Sequence, residues 1–158
     1  EEKTNVMRVL EQKKIAYTAH TYPHEEGVAV DGVTVAQSMG FDPAIVFKTL
    51  VARGASKQYY VFDVPVAENL DLKKAAKAVG EKSIEMIHQK ELLPLTGYVH
   101  GGCSPVGMKK LFPTVFHSSA ENLAAMIVSA GKIGYQVELA PHDLAALVRA
   151  KFADIIVE

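Results

Sequence analysis

Two short stretches of the chain carry residues able to do chemistry. In Val46-Phe47-Lys48-Thr49-Leu50-Val51, strand alternation sets Lys48 on one face with Val46 and Leu50, and Thr49 on the other with Phe47 and Val51. A lysine here interrupts an apolar face. Aimed into a cavity, its ammonium is a point cation with three donors that can hold a phosphate or a developing oxyanion. Aimed at water, it is an edge-strand gatekeeper that blocks strand pairing, and the pattern alone favours that plainer reading. The second stretch is His100-Gly101-Gly102-Cys103-Ser104-Pro105-Val106-Gly107. Its glycines let backbone N–H groups approach a ligand closely and Pro105 stiffens the turn, although a tight loop between strands would use the same residues. Cys103 could serve as a nucleophile only beside a base or a cation, and His100 alone is near in sequence; a small buried residue is the stronger reading.

Other chemistries lose their signatures. The six histidines, His20, His24, His88, His100, His117 and His142, form no helical H-x-x-x-H pair, and His20 and His24, four apart, flank a strand end and Pro23, so no metal is expected. There is no G-x-x-x-x-G-K-S/T loop, no G-x-G-x-x-G and no G-x-S-x-G elbow. One cysteine rules out a disulfide framework and any zinc site built on paired cysteines, which fits a reducing cytoplasm. Seventeen basic and eighteen acidic residues leave a formal charge of −1, so the field of the whole molecule cannot hold nucleic acid strongly and any RNA contact must be local or helped by a partner.

The elements that must position these residues mix helices with strands. A length of 158 residues, 49% hydrophobic and 22% charged, suits one domain spanning 1–158 with a core of its own. No run approaches the roughly 18 apolar residues of a membrane helix, and the start, Glu1-Glu2-Lys3-Thr4, has neither methionine nor an apolar leader and reads as trimmed. Thr4 is a candidate N-cap for a helix carrying Val6, Val9 and Leu10 and ending near Lys13-Lys14. Ile15 to Tyr22 reads as a strand, Pro23 to Gly32 as a long loop, and Thr34 to Met39 as a helix stopped by Gly40. The clearest hairpin runs from Val46 to Ala52, through Arg53-Gly54-Ala55-Ser56, and back over Gln58 to Val64. Asp71 caps a helix with Leu72, Ala75, Ala76 and Val79 inward, Gly80 closing it and Lys73 and Lys77 on its outer face. A short helix spans Gln89 to Leu93. Thr114 to Phe116, Met126 to Val128 and Tyr135 to Leu139 are strand candidates, Pro141 to Ala150 a helix, and Ile155-Ile156-Val157 a last strand. The expected class is α+β with a mixed sheet.

Taken together, the K-x-x-Y-x-x-H-T-Y stretch of Lys14 to Tyr22, the F-K-T-L strand and the G-G-x-S-P-x-G-x-K-K loop of Gly101 to Lys110 resemble one family, the YbaK family of cysteinyl-tRNA(Pro) deacylases, related to the editing domain of bacterial prolyl-tRNA synthetases. The resemblance runs from Val6 to Ile155 and takes in Pro65-Val66-Ala67, Leu70-Asp71-Leu72-Lys73-Lys74 and Lys151-Phe152-Ala153-Asp154. It implies a partly barrel-like mixed sheet flanked by helices, with a pocket for the aminoacylated 3′ end of tRNA and no metal or organic cofactor. By position it makes Lys48 the pocket lysine, expected on the terminal adenosine or its phosphate, which reverses the gatekeeper reading. Tyr22 matches a pocket tyrosine, and Gly101 with Pro105 the G-x-x-x-P loop that holds the adenosine near the ester. A Ser-Gly-Gly-Lys-Arg-Gly segment of better-known members reads here Ser129-Ala130-Gly131-Lys132-Ile133-Gly134, and an acidic residue after it is Gln136. Ser129 and Gly131 stay pocket residues, while Ala130, Ile133 and Gln136 bear on substrate preference.

The resemblance implies a trans-editing enzyme. A synthetase pocket built for proline rejects cysteine by only about 1 to 3 kcal/mol, roughly 10- to 200-fold, so a second hydrolytic sieve is needed. The implied partners are mischarged tRNA(Pro) and prolyl-tRNA synthetase, with no membrane; the sequence carries no signal for oligomeric state. The implied nucleophile is the substrate's own thiol, with amides near Gly102 and Cys103 stabilising the oxyanion. Lys73, Lys74 and Lys77 are expected to contribute to a tRNA-facing surface. Two other readings stand beside this one: a deacylase for alanine or another small amino acid, and a non-catalytic module that docks on tRNA or a synthetase.

Overall fold

The computed structural model describes residues 2–158, so Glu1 and the part of the N-terminal reading that rests on it lie outside the described residues. The chain runs through α1 (Asn5–Gln12), β1 (Thr18–Thr21), α2 (Gly32–Met39), β2 (Phe47–Gly54), β3 (Tyr59–Pro65), α3 (Leu72–Val79), β4 (Ile84–Met86), α4 (Gln89–Thr96), β5 (Thr114–His117), β6 (Met126–Ser129), β7 (Tyr135–Leu139), α5 (Pro141–Val148) and β8 (Lys151–Ala153). Local chemistry sets most of these boundaries. The Thr4 hydroxyl accepts from the Met7 N–H at 3.3 Å and starts α1, while Asp71 accepts from Lys73 and Lys74 and starts α3. Gly40, Gly80 and Gly97 close α2, α3 and α4 in the left-handed conformation.

The strands form two sheets. One is antiparallel, in the order β1-β7-β6; the other is mixed, in the order β4-β2-β3-β5-β8, with β3, β5 and β8 parallel. A single parallel bridge from Val46 to Ile127 joins them, so the mixed, partly curved architecture stops short of a closed barrel. Side-chain alternation in β2 serves two cores. Phe47 and Val51 join Val6, Leu10, Phe116 and Met126 on one face, and Ala52 joins Phe62, Val64, Ala75 and Ala76 on the other. A third cluster of Ala36, Val46, Val66 and Ile127 seals the junction between the sheets. Full burial of each large apolar side chain contributes about 1.5 to 3 kcal/mol, so the junction is fixed from three sides.

Several sequence expectations change. β1 occupies only Thr18–Thr21 of the expected Ile15–Tyr22. β4, which pairs with Ala52, Arg53 and Gly54, was not expected. Helix α4 continues past Leu93 through Pro94 to Thr96; the carbonyl that loses its bond to the missing proline N–H belongs to Lys90, which is exposed to water. Helix α5 stops at Val148 because Arg149 turns left-handed at φ 57°. The last strand is Lys151–Ala153, and Ile156 makes only an isolated bridge to Leu70. Leu72, in the first turn of α3, is exposed rather than inward.

Candidate active site

The site forms where β2 has lost its neighbours. β4 pairs only with Ala52 to Gly54 and β6 is bridged only to Val46, which leaves the stretch between them as an unpaired edge along a cleft of about 500 Å³. The Val66 N–H donates to the Val46 carbonyl at 2.8 Å, so in antiparallel alternation the even-numbered residues of β2 pair with β3 and the odd-numbered ones turn outward. The bond from Ile87 N–H to the Val51 carbonyl at 3.4 Å agrees. Thr49 therefore directs its backbone N–H and C=O toward the open edge.

Lys48, half-buried, lines the cleft. Burial pulls its ammonium below the ordinary lysine range, opposed by the charges of Asp31 and Glu68. Among the described residues it has no acidic partner within ion-pair distance, so its donors are available to a ligand. Asp31 is fixed by capping α2, accepting from the Thr34 N–H at 3.2 Å.

Tyr22, Gly101, Cys103 and Ser129 line the same cleft as Lys48, so five of the eight residues singled out in the sequence converge there. Gly101 sits at φ +89°, and a Cβ there would come within 2.7 Å of the Ala29 Cβ, so the loop's approach to the cleft wall requires glycine. Gly102, Pro105 and Gly131 do not line the cleft. The Gly102 N–H is engaged by the Val99 carbonyl at 3.0 Å, which closes the turn and removes it as an oxyanion donor. Pro105 faces a separate cavity of about 120 Å³ beside Val9, Phe112 and Val148. Gly131 acts through its neighbour: its N–H donates to Ser129 Oγ at 3.1 Å and holds that hydroxyl in place.

Cys103 is 8% exposed, and burial together with the nearby Asp63 carboxylate pushes its thiol up to about 12. At neutral pH it is a thiol, and a thiol is a poor nucleophile. His100 lines the cleft but makes no hydrogen bond to Cys103 among the described residues. His20 meets Glu138 at 2.7 Å and His24 the Tyr22 carbonyl at 3.0 Å.

Sequence reasoning missed the part played by three residues, Thr49 and Gln136 in the cleft and Asp63 behind it. Thr49 lines the cleft, and its hydroxyl donates to Asp63 Oδ1 at 2.5 Å. Asp63 is fully buried, and burial raises its carboxyl to about 7. The available signal was a carboxylate inside Tyr60-Val61-Phe62-Asp63-Val64, the same kind of interruption that marks Lys48. Gln136, read only as a departure from the family pattern, lines the cleft with its side chain buried and Oε1 without a partner among the described residues. Lys74 leaves the proposed tRNA-facing cluster. Its ammonium bonds Asp154 and Glu158 at 3.0 Å and the Ile156 carbonyl at 2.9 Å, tying the C-terminus to α3.

Comparison with known proteins shows the family and the fold. The family model for the aminoacyl-tRNA editing domain matches residues 27–147, which hold β2, the glycine loop, Ser129 and Gln136. A protein of Enterococcus faecalis strain ATCC 700802 / V583, EbsC, named as a candidate Cys-tRNA(Pro)/Cys-tRNA(Cys) deacylase, is 45% identical over 155 residues, covering 98% of this chain and 94% of its own. The crystal structure of a candidate trans-editing enzyme for prolyl tRNA synthetase superposes with a TM-score of 0.81 at 25% identity, covering 97% of this chain and 95% of that one. Another solved structure, 18% identical with a TM-score of 0.85 over 99% of this chain and all of the other, shares the fold. With the family model spanning most of its length and a near-full-length relative at 45% identity, the chain belongs to the aminoacyl-tRNA editing domain family.

Proposed function

We propose that this protein is a trans-editing deacylase that removes cysteine mischarged onto tRNA(Pro), with the thiol of the substrate as the nucleophile. The observation that carries this reading is the placement of Cys103, buried in the cleft wall with no hydrogen bond to His100 among the described residues. Burial raises its thiol, so the protein offers no activated sulfur to the ester. In the step proposed, the sulfur of the cysteinyl group attacks its own ester carbonyl and the bond from that carbon to the ribose oxygen breaks. The thiol proton ends on the ribose hydroxyl, and the cyclic thioester so formed is opened by water to free cysteine. The enzyme's part is to hold the chain end in the reactive geometry and to stabilise developing negative charge.

Four of the cleft residues have a part in this reading. Lys48 takes the terminal phosphate or the oxyanion, the Gly101 turn and Cys103 backbone form the wall against the terminal adenosine, and the Ser129 hydroxyl orients the aminoacyl group. With a net charge of −1, the protein gains its hold on tRNA through a complex with prolyl-tRNA synthetase. The test is deacylation of cysteinyl-, alanyl- and prolyl-tRNA(Pro) by purified protein, with and without the synthetase. The reading expects cysteinyl ester to be cleaved first and prolyl ester spared. Prolyl cleavage at a comparable rate would refute editing, and faster alanyl cleavage would move the assignment to a small-amino-acid deacylase.

A further inference from the structure

Beneath the open edge of β2 lies a carboxylate that the mechanism above does not use. Asp63 is fully buried, its Oδ1 accepts from the Thr49 hydroxyl at 2.5 Å, and its Oδ2 has no hydrogen-bond partner among the described residues. A buried carboxyl with one lone oxygen is costly, and side chains of this kind survive where they act on a neighbour. Here the neighbour lines the cleft. We propose that Asp63 is a positioning residue of the deacylation site: through Thr49, its charge state decides whether the cleft presents a hydrogen-bond acceptor or a donor to the aminoacyl group. The proposal rests on the deacylase reading and names a further participant in it.

The physical basis is the single proton of a hydroxyl. When Asp63 is ionised, Thr49 must give its proton to Oδ1, and the outward side of Oγ1 carries only lone pairs. A lone pair at that position suits a donor on the substrate, namely its α-ammonium or its thiol. When Asp63 is protonated on Oδ1, the carboxyl donates to Thr49 and frees the hydroxyl proton to point into the cleft, where it repels those donors. Burial raises the Asp63 carboxyl to about 7, close to neutral pH. The groups facing Asp63 from the elements packed on it are few. β2 offers Thr49, β5 offers Phe116 at the paired position, and the glycine loop offers Cys103, which stays protonated. Lys48 projects from the opposite face of β2, toward Asp31 and Glu68.

The experiment measures single-turnover deacylation of cysteinyl-tRNA(Pro) from pH 5.5 to 8.5 for the wild type, Asp63→Asn, Thr49→Val and Thr49→Ser, with thermal melting of each. The substrate's amino group and thiol titrate in this range too, so the diagnostic quantity is the ratio of wild-type to Asp63→Asn rates. That ratio is expected to rise at least threefold with pH, with a midpoint near 7. Thr49→Val is expected to lose about tenfold in rate at pH 8 and some thermal stability as well, because Asp63 loses its donor, and Thr49→Ser to restore rate, profile and melting. If Asp63→Asn fails to fold, the ratio of wild type to Thr49→Val carries the same test. Carbon-13 NMR of the Asp63 carboxyl supplies a readout independent of turnover: its titration is expected near pH 7 and higher in Thr49→Val, which lacks the donor. An active wild type whose ratio is constant with pH, or a carboxyl that does not titrate between pH 5 and 9, would overturn the proposal alone. A wild type inactive on every aminoacyl ester would overturn the deacylase reading first and the proposal with it.

Discussion

Cys103 lies beside Asp63, and the carboxylate adds to burial in holding the thiol protonated up to about 12. The cysteine in the glycine loop is thereby a wall of the cleft and contributes its backbone and its volume. Cys103→Ala should keep activity on cysteinyl-tRNA(Pro) within about tenfold, the equivalent of about 1.4 kcal/mol of altered packing. Steady-state deacylation checks this, and total loss of activity in a folded variant would make Cys103 the nucleophile.

Lys48 stands at the cleft without an ion-pair partner among the described residues, so removing its ammonium breaks no bond that the fold uses. Lys48→Ala should cost about 10² to 10³ in rate, the usual loss when one charged contact leaves a preorganised site, with the melting temperature unchanged. A loss below threefold would return Lys48 to the role of an edge-strand gatekeeper.

Gly131 occupies φ +91°, and a Cβ there would lie 2.9 Å from Tyr98 Cε1. Gly131→Ala should destabilise the protein by about 1 to 2 kcal/mol and slow deacylation by displacing the Ser129 hydroxyl that its N–H fixes. Urea unfolding and kinetics together check this; Ser129→Ala should slow the reaction without the stability loss.

Asp63 gives stability a pH dependence of unusual sign. Its folded-state value of about 7 lies above that of an unfolded aspartate, so between the two the native state holds the extra proton and stability falls as pH rises. At pH 8 the buried charge costs up to about 4 kcal/mol. Asp63→Asn should therefore be more stable relative to wild type at pH 8 than at pH 5. Equal differences at the two pH values, read from urea midpoints, would show that the Asp63 carboxyl is not raised above the ordinary aspartate range in the folded protein.

What the sequence made legible follows the range of the interactions involved. The hairpin and the caps at Thr4 and Asp71 are local, set by alternation, turn residues and side chains bonding to nearby amides, and they stand as expected. The three residues of β4 carry no periodicity of their own and form a strand only because Ala52 to Gly54 lie alongside. The charge that interrupts an apolar strand drew attention to Lys48, but the pattern alone favoured an edge-strand gatekeeper and only the family resemblance assigned it to a pocket. Asp63 bears the same mark, but its importance comes from meeting Thr49 across the hairpin and Cys103 from a distant loop. Pro105 shows the converse. Four residues from Gly101 in sequence, it faces another cavity because the loop turns between them.

The central claim is that the substrate supplies the nucleophile, and an exchange of sulfur for oxygen tests it most directly. Seryl-tRNA(Pro) differs from cysteinyl-tRNA(Pro) in one atom, yet a hydroxyl is a far weaker nucleophile than a thiol at neutral pH. Single-turnover rates on the two esters should differ by at least about 100-fold in favour of cysteine, in the wild type and in Cys103→Ala alike. Equal rates on seryl and cysteinyl esters would contradict substrate-assisted cleavage and assign the attack to water or to the protein.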